Sequence, residues 1–447
     1  MGFIWSAVGS AIGLGSIWRF PYVVGANGGG IFIAVYVICL ICTGLPVLIS
    51  EILIGKKARL NAAGSLRKVG NGNIWGVFGN LTLLTSFLVS CFYCVIAAWV
   101  LGYFMQAIAG KLLHLDKASK AIDYFLEFKS SVVSVSIFLV IFLIWSMGIL
   151  YSGIKKGIEA SNKVMIPLLL IILLALSVKG CFDSGGIKAL KFLFLPNWKE
   201  FTPRVVLIAL GQSFFALSLG QGTMITYGSY LRKNDGVISS CFAIAFFSLV
   251  ISILAGIAIF TVVFSSGFSP SAGESLMFQT LPVIFTSFKG GYILEVIFFF
   301  LLLLAAITSQ ISAMEPFVAY LIDNWKFKRA LSVGVVGGSI GIFSLILVLS
   351  FGPLSFVQIY KQNVFDITLN VCLDILIPIG GLVAILAVGW RWGVKNALAL
   401  AIPSKKSNMK QMWFVNYLLF FFIKYISPII ILLVMFYEAN LFLILAG

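Results

Sequence analysis

Charge is scarce in this sequence: Asp, Glu, Lys and Arg make up 10% of its 447 residues, against about 25% in a typical soluble domain. Histidine occurs once, while hydrophobic residues make up 61% of the chain. A water-soluble surface cannot be built from so few charged groups. The composition therefore excludes a soluble globular domain, a disordered chain, a coiled coil and a secreted disulfide scaffold. It also argues against a nucleic-acid partner, although the net charge is +16.

The seven cysteines and the single histidine offer little material for a metal site. Cys39 and Cys42, and likewise Cys91 and Cys94, have the C-x-x-C spacing of half a zinc ribbon. Both pairs stand inside short apolar runs without histidine or acid, so we predict helix packing and keep metal binding as the alternative. No group of acids, histidine and cysteine has catalytic spacing, and we predict that the protein is not an enzyme.

Long apolar runs are what the sequence has in abundance. Many approach the length of about 20 residues that an α-helix needs to cross a bilayer, whereas strands of a membrane barrel are about half as long and alternate in polarity. We predict an all-α polytopic protein of the lipid bilayer with eleven transmembrane helices. The predicted spans, numbered segments 1 to 11, are 3–24, 29–55, 74–110, 132–150, 162–178, 204–231, 237–265, 291–323, 330–352, 367–390 and 413–436.

Basic residues divide unequally between two sets of links. One set carries eighteen Lys and Arg residues and consists of 56–68, 155–163, 232–233, 326–329 and 391–410. The other set carries eleven and consists of 111–129, 179–204, 289 and 361. Because Lys and Arg concentrate on the cytoplasmic side of a membrane protein, the first set and the N-terminus are predicted to be cytoplasmic. The first apolar run has no basic leader and no small-residue cleavage site, so a cleavable signal peptide is not predicted.

Glycine interrupts two of the predicted helices. Segment 1 contains VGSAIGLGSIWRFP, and segment 6 contains GQSFFALSLGQGTMITY. These segments take corresponding positions in a chain of five plus five helices, which is typical of an inverted-repeat transporter with its site near the bilayer midplane. The two repeats would be 1–178 and 179–393, followed by a cytoplasmic link and segment 11 in 394–447. Close helix packing by small residues is the alternative explanation for either glycine cluster alone.

Four stretches of the sequence resemble the neurotransmitter:sodium symporter family. They are GSAIGLGSIWRFPYVVGANGGGIF in segments 1 and 2, FFALSLGQGTMITYGSYL in segment 6, AAITSQISAMEPFVAYLID in segment 8 and VCLDILIPIGGLVAILAVGW in segment 10. The last stretch resembles the bacterial branch of the family. The resemblance implies discontinuous helices 1 and 6, and sodium-coupled symport of an amino acid into the cell by alternating access. The short links favour a prokaryotic inner membrane.

The resemblance also implies a substrate site between the two interrupted helices. A broken helix presents free backbone N–H groups to an anion, so the amides of segment 1 and the Tyr93 hydroxyl would bind the substrate carboxylate. Carbonyl groups at the break in segment 6 would receive its ammonium group. The implied residues are Ala11, Gly13, Leu14, Gly15, Val89, Tyr93, Phe215, Ser218, Gln221, Ser309 and Ala313. Gln221 and Ala313 stand where larger apolar residues are common in the family, which favours a larger or partly polar amino acid.

Two sodium sites are implied by the resemblance, and the second of them is intact. It consists of the carbonyls of Gly9, Ile12 and Ala305 and the hydroxyls of Thr308 and Ser309. Hydrogen bonding of these hydroxyls to their own helix is the alternative. At the first site, Ser16, Ala216 and Ser248 replace the usual side-chain ligands, while Ala11 still offers a carbonyl. We therefore expect a degenerate first site and coupling to one sodium ion.

The neighbouring anion position matches the family's chloride-dependent members only in part. Tyr36, Gln212 and Ser252 correspond to their chloride-binding groups, whereas Ala216 lacks the usual hydroxyl. Either chloride binds weakly, or the first sodium ion and its counter-charge have been lost together. The second explanation keeps the buried charge balanced.

The outer gate implied by the resemblance is an ion pair that involves Arg19. Its acidic partner should lie near the start of segment 10, where Asp366 is the candidate and the deeper Asp374 is the alternative. A pair at this position would close the substrate site from the outside.

The inner gate is implied to contain Asp323 and the aromatic residue Tyr227. The arginine that normally pairs with the acid precedes segment 1, where this sequence begins, so either the start is truncated or the gate lacks its salt bridge. Glu51 resembles the buried acid that supports the break in segment 6.

Three functions compete at this point. Sodium-driven transport of an amino acid leads, and a substrate-binding sensor or a non-coupled relative is the alternative, because the first sodium site is degenerate. A membrane enzyme is the third possibility, and the sequence offers no catalytic group for it. The sequence indicates no particular oligomeric state.

Overall fold

Nearly all of the chain that the structure describes is helical. The computed structural model describes residues 2–232, 235–265, 276–286, 290–359, 362–401 and 416–446. Within these ranges, nine helices are long and apolar enough to cross a membrane. They are Gly30–Ala58, Asn73–Ile108, Val132–Tyr151, Ile154–Phe182, Val237–Ser265, Gly291–Trp325, Arg329–Leu349, Val364–Ala401 and Asn416–Tyr437. These helices correspond in order to segments 2 to 5 and 7 to 11.

Segments 1 and 6 are each divided into two helical parts. Segment 1 forms the helix Gly2–Ala11 and resumes as the wide turn Gly15–Arg19, which continues into Phe20–Ala26. Segment 6 forms Pro203–Ala216 and Thr223–Ser229. Between the two parts of segment 6, Gly220 and Gly222 both have a φ of 74°, a conformation that glycine adopts without steric cost. The predicted interruption of both helices is therefore present.

Shorter elements occupy the links between segments. The short helices and turns are Ala62–Gly70, Lys111–His114, Ala118–Ser130, Gly186–Phe194, Trp198–Glu200, Leu276–Thr280 and Leu281–Thr286. The strands Gln358–Ile359 and Gln362–Asn363 pair antiparallel just before segment 10. A search for long apolar runs passes over such elements, because a surface helix buries only one face.

Segment 10 differs most from its predicted bounds. It continues as helix to Ala401, well beyond the predicted end at 390. Gly393, with a φ of 89°, interrupts the regular helix, which resumes as Val394–Ala401. The first part of the predicted link 391–410 is therefore helical. The rest of that link, together with Lys233, Lys289 and Lys361 from the other links, lies outside the described residues.

The most buried helices form the centre of the bundle. In Asn73–Ile108, 83% of the most apolar stretch is buried inside the protein, against 28% in each of Val132–Tyr151, Ile154–Phe182 and Asn416–Tyr437. The latter three helices expose the apolar surface that a bilayer requires. Segments 3 and 8 lie in the buried centre, and the breaks of segments 1 and 6 pack against them.

The C-x-x-C pairs lie within helices of this bundle. All seven cysteines are free, and Cys39, Cys91 and Cys94 are buried. Among the described residues, no cluster of three or more His, Cys, Asp and Glu side chains is arranged to hold a metal ion. The pairs contribute to helix packing, as predicted.

Candidate functional site

The interrupted stretches of segments 1 and 6 meet through two serines. The Ser10 hydroxyl donates to Ser218 Oγ at 3.1 Å, and the Ser218 hydroxyl also lies 2.9 Å from the Ser10 carbonyl oxygen. Ser218 has a left-handed backbone with a φ of 54°, which residues other than glycine adopt rarely. Such conformations cluster at functional sites. The turn thus holds a hydroxyl group at the junction of the two breaks.

Glu51 lies beside the break in segment 6, where the resemblance places it. Its carboxylate is fully buried and accepts a 2.7 Å hydrogen bond from the Gly220 N–H. A Cβ on Gly220 would overlap the backbone of Ile377. Position 220 therefore needs glycine, so that the chain can pass between segments 2 and 10 while its N–H donates a hydrogen bond to Glu51.

A small cavity lies between segments 1, 3, 6 and 8. Its volume is about 20 Å³, which is room for about one water molecule. The residues that line it are Ser10, Ala11, Gly13, Gly15, Val89, Tyr93, Phe215, Ala216, Ser218, Gln221, Ser309 and Ala313. Ten of the eleven residues predicted for the substrate site are among them, and Leu14 is the exception. An amino acid is larger than this space, so the walls must move apart to admit one.

Leu14 contributes its backbone beside the cavity. Its N–H donates a 2.8 Å hydrogen bond to Tyr93 Oη. A Cβ on Gly13 would lie 2.8 Å from the same hydroxyl, and a Cβ on Gly15 would lie 2.9 Å from the Phe215 ring. Both approaches are too close for a side chain, so glycine is what allows the backbone to reach the hydroxyl and the ring.

Ser10 is a cavity residue that sequence reasoning missed. It stands between Gly9 and Ala11 in the interrupted run of segment 1. A polar residue at the break of a transmembrane helix is itself a signal, because its hydroxyl must find a partner away from water. In the structure that partner is Ser218.

The residues predicted for the second sodium site converge at the contact of segments 1 and 8. Thr308 Oγ1 donates to the carbonyl oxygens of Ile12 at 3.1 Å and Ala305 at 3.0 Å. Ser309 Oγ donates to the Ser10 carbonyl at 3.3 Å. Backbone carbonyls at the break of a transmembrane helix can coordinate sodium. The hydroxyls of Thr308 and Ser309 add two further oxygen atoms at this position.

Gly9, the fifth residue predicted for this site, packs against segment 5. A Cβ on Gly9 would lie 2.6 Å from Asn162 Cγ and 3.1 Å from Ile166 Cδ1. Asn162 is fully buried, and neither end of its amide has a hydrogen-bond partner within the described residues. Asn162 was not predicted from the sequence, although a polar residue near the start of an apolar span is a usable signal.

The four residues predicted for a degenerate first sodium site also lie together. Ser16 Oγ donates to the Ala11 carbonyl at 3.1 Å and lies 3.5 Å from Ser248 Oγ. Ser248 Oγ in turn donates to the Ala216 carbonyl at 3.4 Å. Two hydroxyls and two carbonyls thus occupy the position, and none of the four residues contributes a side-chain amide.

The predicted chloride residues separate into two groups. The hydroxyls of Tyr36 and Ser252 are buried close together, yet neither makes a hydrogen bond of good geometry within the described residues. Gln212 instead donates from Nε2 to the Gly15 carbonyl at 2.8 Å and accepts from Arg19 Nη1 at 2.9 Å. Gln212 therefore ties the break in segment 1 to Arg19, the arginine predicted for the outer gate.

The two acids considered for the outer gate lie near different basic residues. Arg19 lies over the Phe215 ring at 5.6 Å, and the acid that interacts electrostatically with it is Asp374. Asp366 lies instead near Lys129 of the helix Ala118–Ser130. The two acids are eight positions apart, which corresponds to about 12 Å along a helix, so only the deeper acid reaches the level of Arg19. Asp366 is therefore not placed as the gate partner.

The residues predicted for the inner gate lie at the other end of the bundle. Asp323 Oδ2 accepts hydrogen bonds from the Asn61 backbone N–H at 2.7 Å and from Asn61 Nδ2 at 3.1 Å. The Tyr227 hydroxyl donates to Ser312 Oγ at 2.8 Å. Asp323 thus fastens segment 8 to the link that follows segment 2.

An ion pair that sequence reasoning missed joins segments 8 and 9. Arg329 donates to both carboxylate oxygens of Glu315, at 2.7 and 3.1 Å, and Tyr230 donates to the same carboxylate at 2.9 Å. An acid inside an apolar span is a signal for such a pair. The partner could not be identified from sequence, because it lies on the next helix.

These features define a class: a polytopic membrane transporter whose site lies between discontinuous helices. The chain matches the sodium:neurotransmitter symporter family over residues 1–121 and 115–443, and it belongs to that family. As a member of a family of sodium-dependent transporters, it is a multi-pass membrane protein and not an enzyme. The predicted family is confirmed.

Proteins that are similar to this chain include sodium-dependent transporters of two bacteria. YhdH of Bacillus subtilis is 34% identical over 434 residues, which cover 97% of this chain and 95% of the relative. A sodium-dependent transporter of Haemophilus influenzae is 31% identical, with 98% of this chain and 96% of the relative covered. The crystal structure of MhsT in complex with L-phenylalanine matches with a TM-score of 0.89 and 37% identity, covering 97% of each chain.

Proposed function

We propose that this protein is a sodium-coupled symporter that carries an amino acid into the cell by alternating access. The observation that carries the proposal is the cavity at the two helix breaks, where the Leu14 N–H and the Tyr93 hydroxyl meet. The sodium-dependent relatives support the driving ion. MhsT, which binds L-phenylalanine in its crystal structure, supports an amino acid as the substrate class.

The chemistry of the cavity suits a zwitterion. An unpaired charge in a dry site is costly, so both ends of the substrate need partners. Backbone amides at the break in segment 1, together with Tyr93, would receive the carboxylate at the positive end of a helix dipole. Carbonyls around Phe215 and Ser218 would receive the ammonium group. No ionised side chain lines the cavity, which fits a ligand that carries both charges itself.

One sodium ion is the proposed coupling ion, bound at Thr308 and Ser309. At the first site, Ser16, Ala216 and Ser248 stand in place of the usual side-chain ligands, so two hydroxyls and two carbonyls are all that this position offers to an ion. A chloride ion would then have no extra cation to balance. Chloride is accordingly proposed to be dispensable, even though Tyr36 and Ser252 retain their hydroxyls.

The proposed substrate has a side chain that is large or partly polar. Gln221 lines the cavity, is 4% exposed, and its Oε1 has no hydrogen-bond partner within the described residues. A buried amide oxygen without a partner is unfavourable, and a substrate N–H or O–H group would satisfy it. Ala313 on the same wall leaves room for a longer side chain.

The proposed topology has eleven crossings. The interrupted segments 1 and 6 would add two crossings to the nine helices that are long enough to span a membrane. Residues 1–178 and 179–393 would form the two inverted repeats, and 394–447 would contain the cytoplasmic link and segment 11. The surplus of basic residues in the predicted cytoplasmic links supports a cytoplasmic N-terminus, and an inner-membrane location is part of the same proposal.

The alternative function is a sensor that binds the substrate without coupled transport, and the degenerate first sodium site favours it. A thermal-shift screen of the amino acids, with and without sodium, tests the shared binding step, because a ligand that binds the folded state raises its stability. We expect a subset of amino acids to stabilise the protein only when sodium is present. Equal stabilisation in sodium and in choline would contradict sodium-linked binding.

A further inference from the structure

Segment 8 contains a buried acid that the transport site does not use. Glu295 is 1% exposed, and both of its carboxylate oxygens lack a hydrogen-bond partner within the described residues. A charged carboxylate in such a place would be strongly disfavoured, and an ionisable residue inside a membrane span marks a functional site by default. Within the described residues nothing stabilises a charged Glu295, so these surroundings favour a neutral carboxyl group, which holds a proton.

A buried phenol on the neighbouring segment 3 is also left without a partner. Tyr103 packs against Phe299, about one helical turn from Glu295, at a ring distance of 5.3 Å, and it interacts electrostatically with Glu295. Its hydroxyl is fully buried and makes no hydrogen bond within the described part of the chain. A protonated carboxyl and a phenol can donate to or accept from one another. These two unpartnered polar groups stand in otherwise aromatic surroundings, and we call them the pair.

Two short helices between segments 7 and 8 cover this pair. We call Leu276–Thr280 and Leu281–Thr286 the lid. Phe278 of the lid lies 5.1 Å from the Tyr103 ring, and Phe285 lies 5.8 Å from the Phe298 ring. Phe298 is about one helical turn from Glu295. If the lid moves away, its aromatic rings no longer shield the carboxyl group, and water comes close to it.

Other titratable groups around the pair have partners of their own. Tyr124, from the helix Ala118–Ser130, packs against Tyr103 at 6.2 Å and donates to Gln106. On the side of Phe298, Lys179 pairs with Asp183 at 3.5 Å. Among the described residues, no Lys or Arg side chain forms an ion pair with Glu295.

We propose that Glu295 and Tyr103 form a proton-binding site that is occupied while the lid is closed and is emptied when the lid opens. Lid opening hydrates the carboxyl group, which then loses its proton to the water on that side. The proton therefore stabilises the closed lid. Low pH favours closure, and the stabilisation is lost as the pH rises, because the closed state binds one proton more than the open state.

Hydrogen–deuterium exchange of the lid peptides 276–286 tests this site in the purified full chain without sodium or substrate. Buried glutamates can titrate as high as about pH 8–9, so the series runs from about pH 5.5 to about pH 9.5. After correction for intrinsic exchange, protection of the lid should fall with rising pH, by at most about tenfold per pH unit for a single proton. In Glu295→Gln, which cannot ionise, protection should stay constant. Asp116→Asn, at an exposed acid that pairs with Lys120, should respond like the wild type.

A flat response in the wild type, or the same slope in Glu295→Gln, would overturn the proposal. If Glu295→Gln does not fold, carbodiimide labelling of the wild type decides, because the reagent modifies protonated carboxyl groups. Labelling mapped to Glu295 by mass spectrometry should decrease as lid protection decreases, and labelling that is independent of pH contradicts the site. Since the assay needs no substrate, its outcome is separate from that of the transport proposal.

Discussion

The Leu14 N–H donates a 2.8 Å hydrogen bond to the Tyr93 hydroxyl and so joins the break in segment 1 to segment 3. A phenol hydroxyl can accept one hydrogen bond and donate another. Tyr93 accepts from the backbone in this structure and has a proton left to donate into the cavity. The same hydroxyl lies within reach of Ser309, so it stands between the proposed carboxylate position and the proposed sodium ligands.

Replacing Tyr93 by phenylalanine should weaken substrate binding. The change removes one hydrogen bond to a charged group, which is worth about 1.5–3 kcal/mol, so the dissociation constant should rise roughly tenfold to a hundredfold. Equilibrium binding of the amino acid found in the thermal-shift screen measures the effect. Tyr151→Phe, at an exposed tyrosine, is the matched control. An affinity of Tyr93→Phe within twofold of the wild type would remove this hydroxyl from the site.

The double variant Thr308→Val, Ser309→Ala should lose sodium-dependent binding and remain folded. The substitutions nearly preserve side-chain volume but remove the two hydroxyl oxygens that meet the Ile12, Ala305 and Ser10 carbonyls. A scintillation-proximity assay over a sodium series measures the result. Thr85→Val is the control, because the Thr85 hydroxyl bonds within its own helix. Unchanged sodium dependence of the double variant would refute the second sodium site.

Gln221→Leu should change which side chain the site prefers. Two amino acids that differ by one hydroxyl, such as L-tyrosine and L-phenylalanine, provide the comparison within one protein. The wild type should favour the hydroxyl-bearing ligand, since the buried Gln221 amide oxygen gains a partner, an effect of about 1 kcal/mol or more. The variant should lose that preference. An identical affinity ratio in both proteins would show that Gln221 does not contact the substrate side chain.

Substrate uptake should depend on sodium with a Hill coefficient near 1 and should not depend on chloride. The serines at the first site form hydrogen bonds to carbonyls and to each other, and Gln212 is engaged by Arg19. Uptake against sodium concentration, repeated with chloride replaced by gluconate, checks both points. A coefficient clearly near 2, or activity that collapses in gluconate, would show that both ion sites operate. Tyr36 and Ser252 would then belong to a working chloride site.

Much of the candidate site could be predicted because it depends on short local patterns. The glycines of segments 1 and 6 mark the breaks in the sequence itself, and the cavity forms at those breaks. Gly13 and Gly15 stand close to Tyr93 and Phe215 in the structure, as expected for a backbone that must approach other groups. The identity of the lining residues thus follows from motifs within single helices.

The remaining contacts depend on which residues of two different helices lie at the same height in the bundle, and a sequence does not give that alignment. Sequence places Asp366 and Asp374 on one segment, but it does not fix which of them reaches the level of Arg19. Glu315 and Arg329 pair across two helices, and neither residue reveals the other. The link helices were missed for a different reason: their stability comes from packing one face, which leaves no long apolar run.

Transport driven by a sodium gradient in proteoliposomes tests the central claim most directly. Vesicles that contain the purified protein should accumulate the amino acid found in the binding screen when sodium is higher outside. A sodium ionophore should abolish the accumulation, and the Thr308→Val, Ser309→Ala variant should show none. Sodium-dependent binding without any accumulation in wild-type vesicles would contradict symport and would establish the sensor function instead.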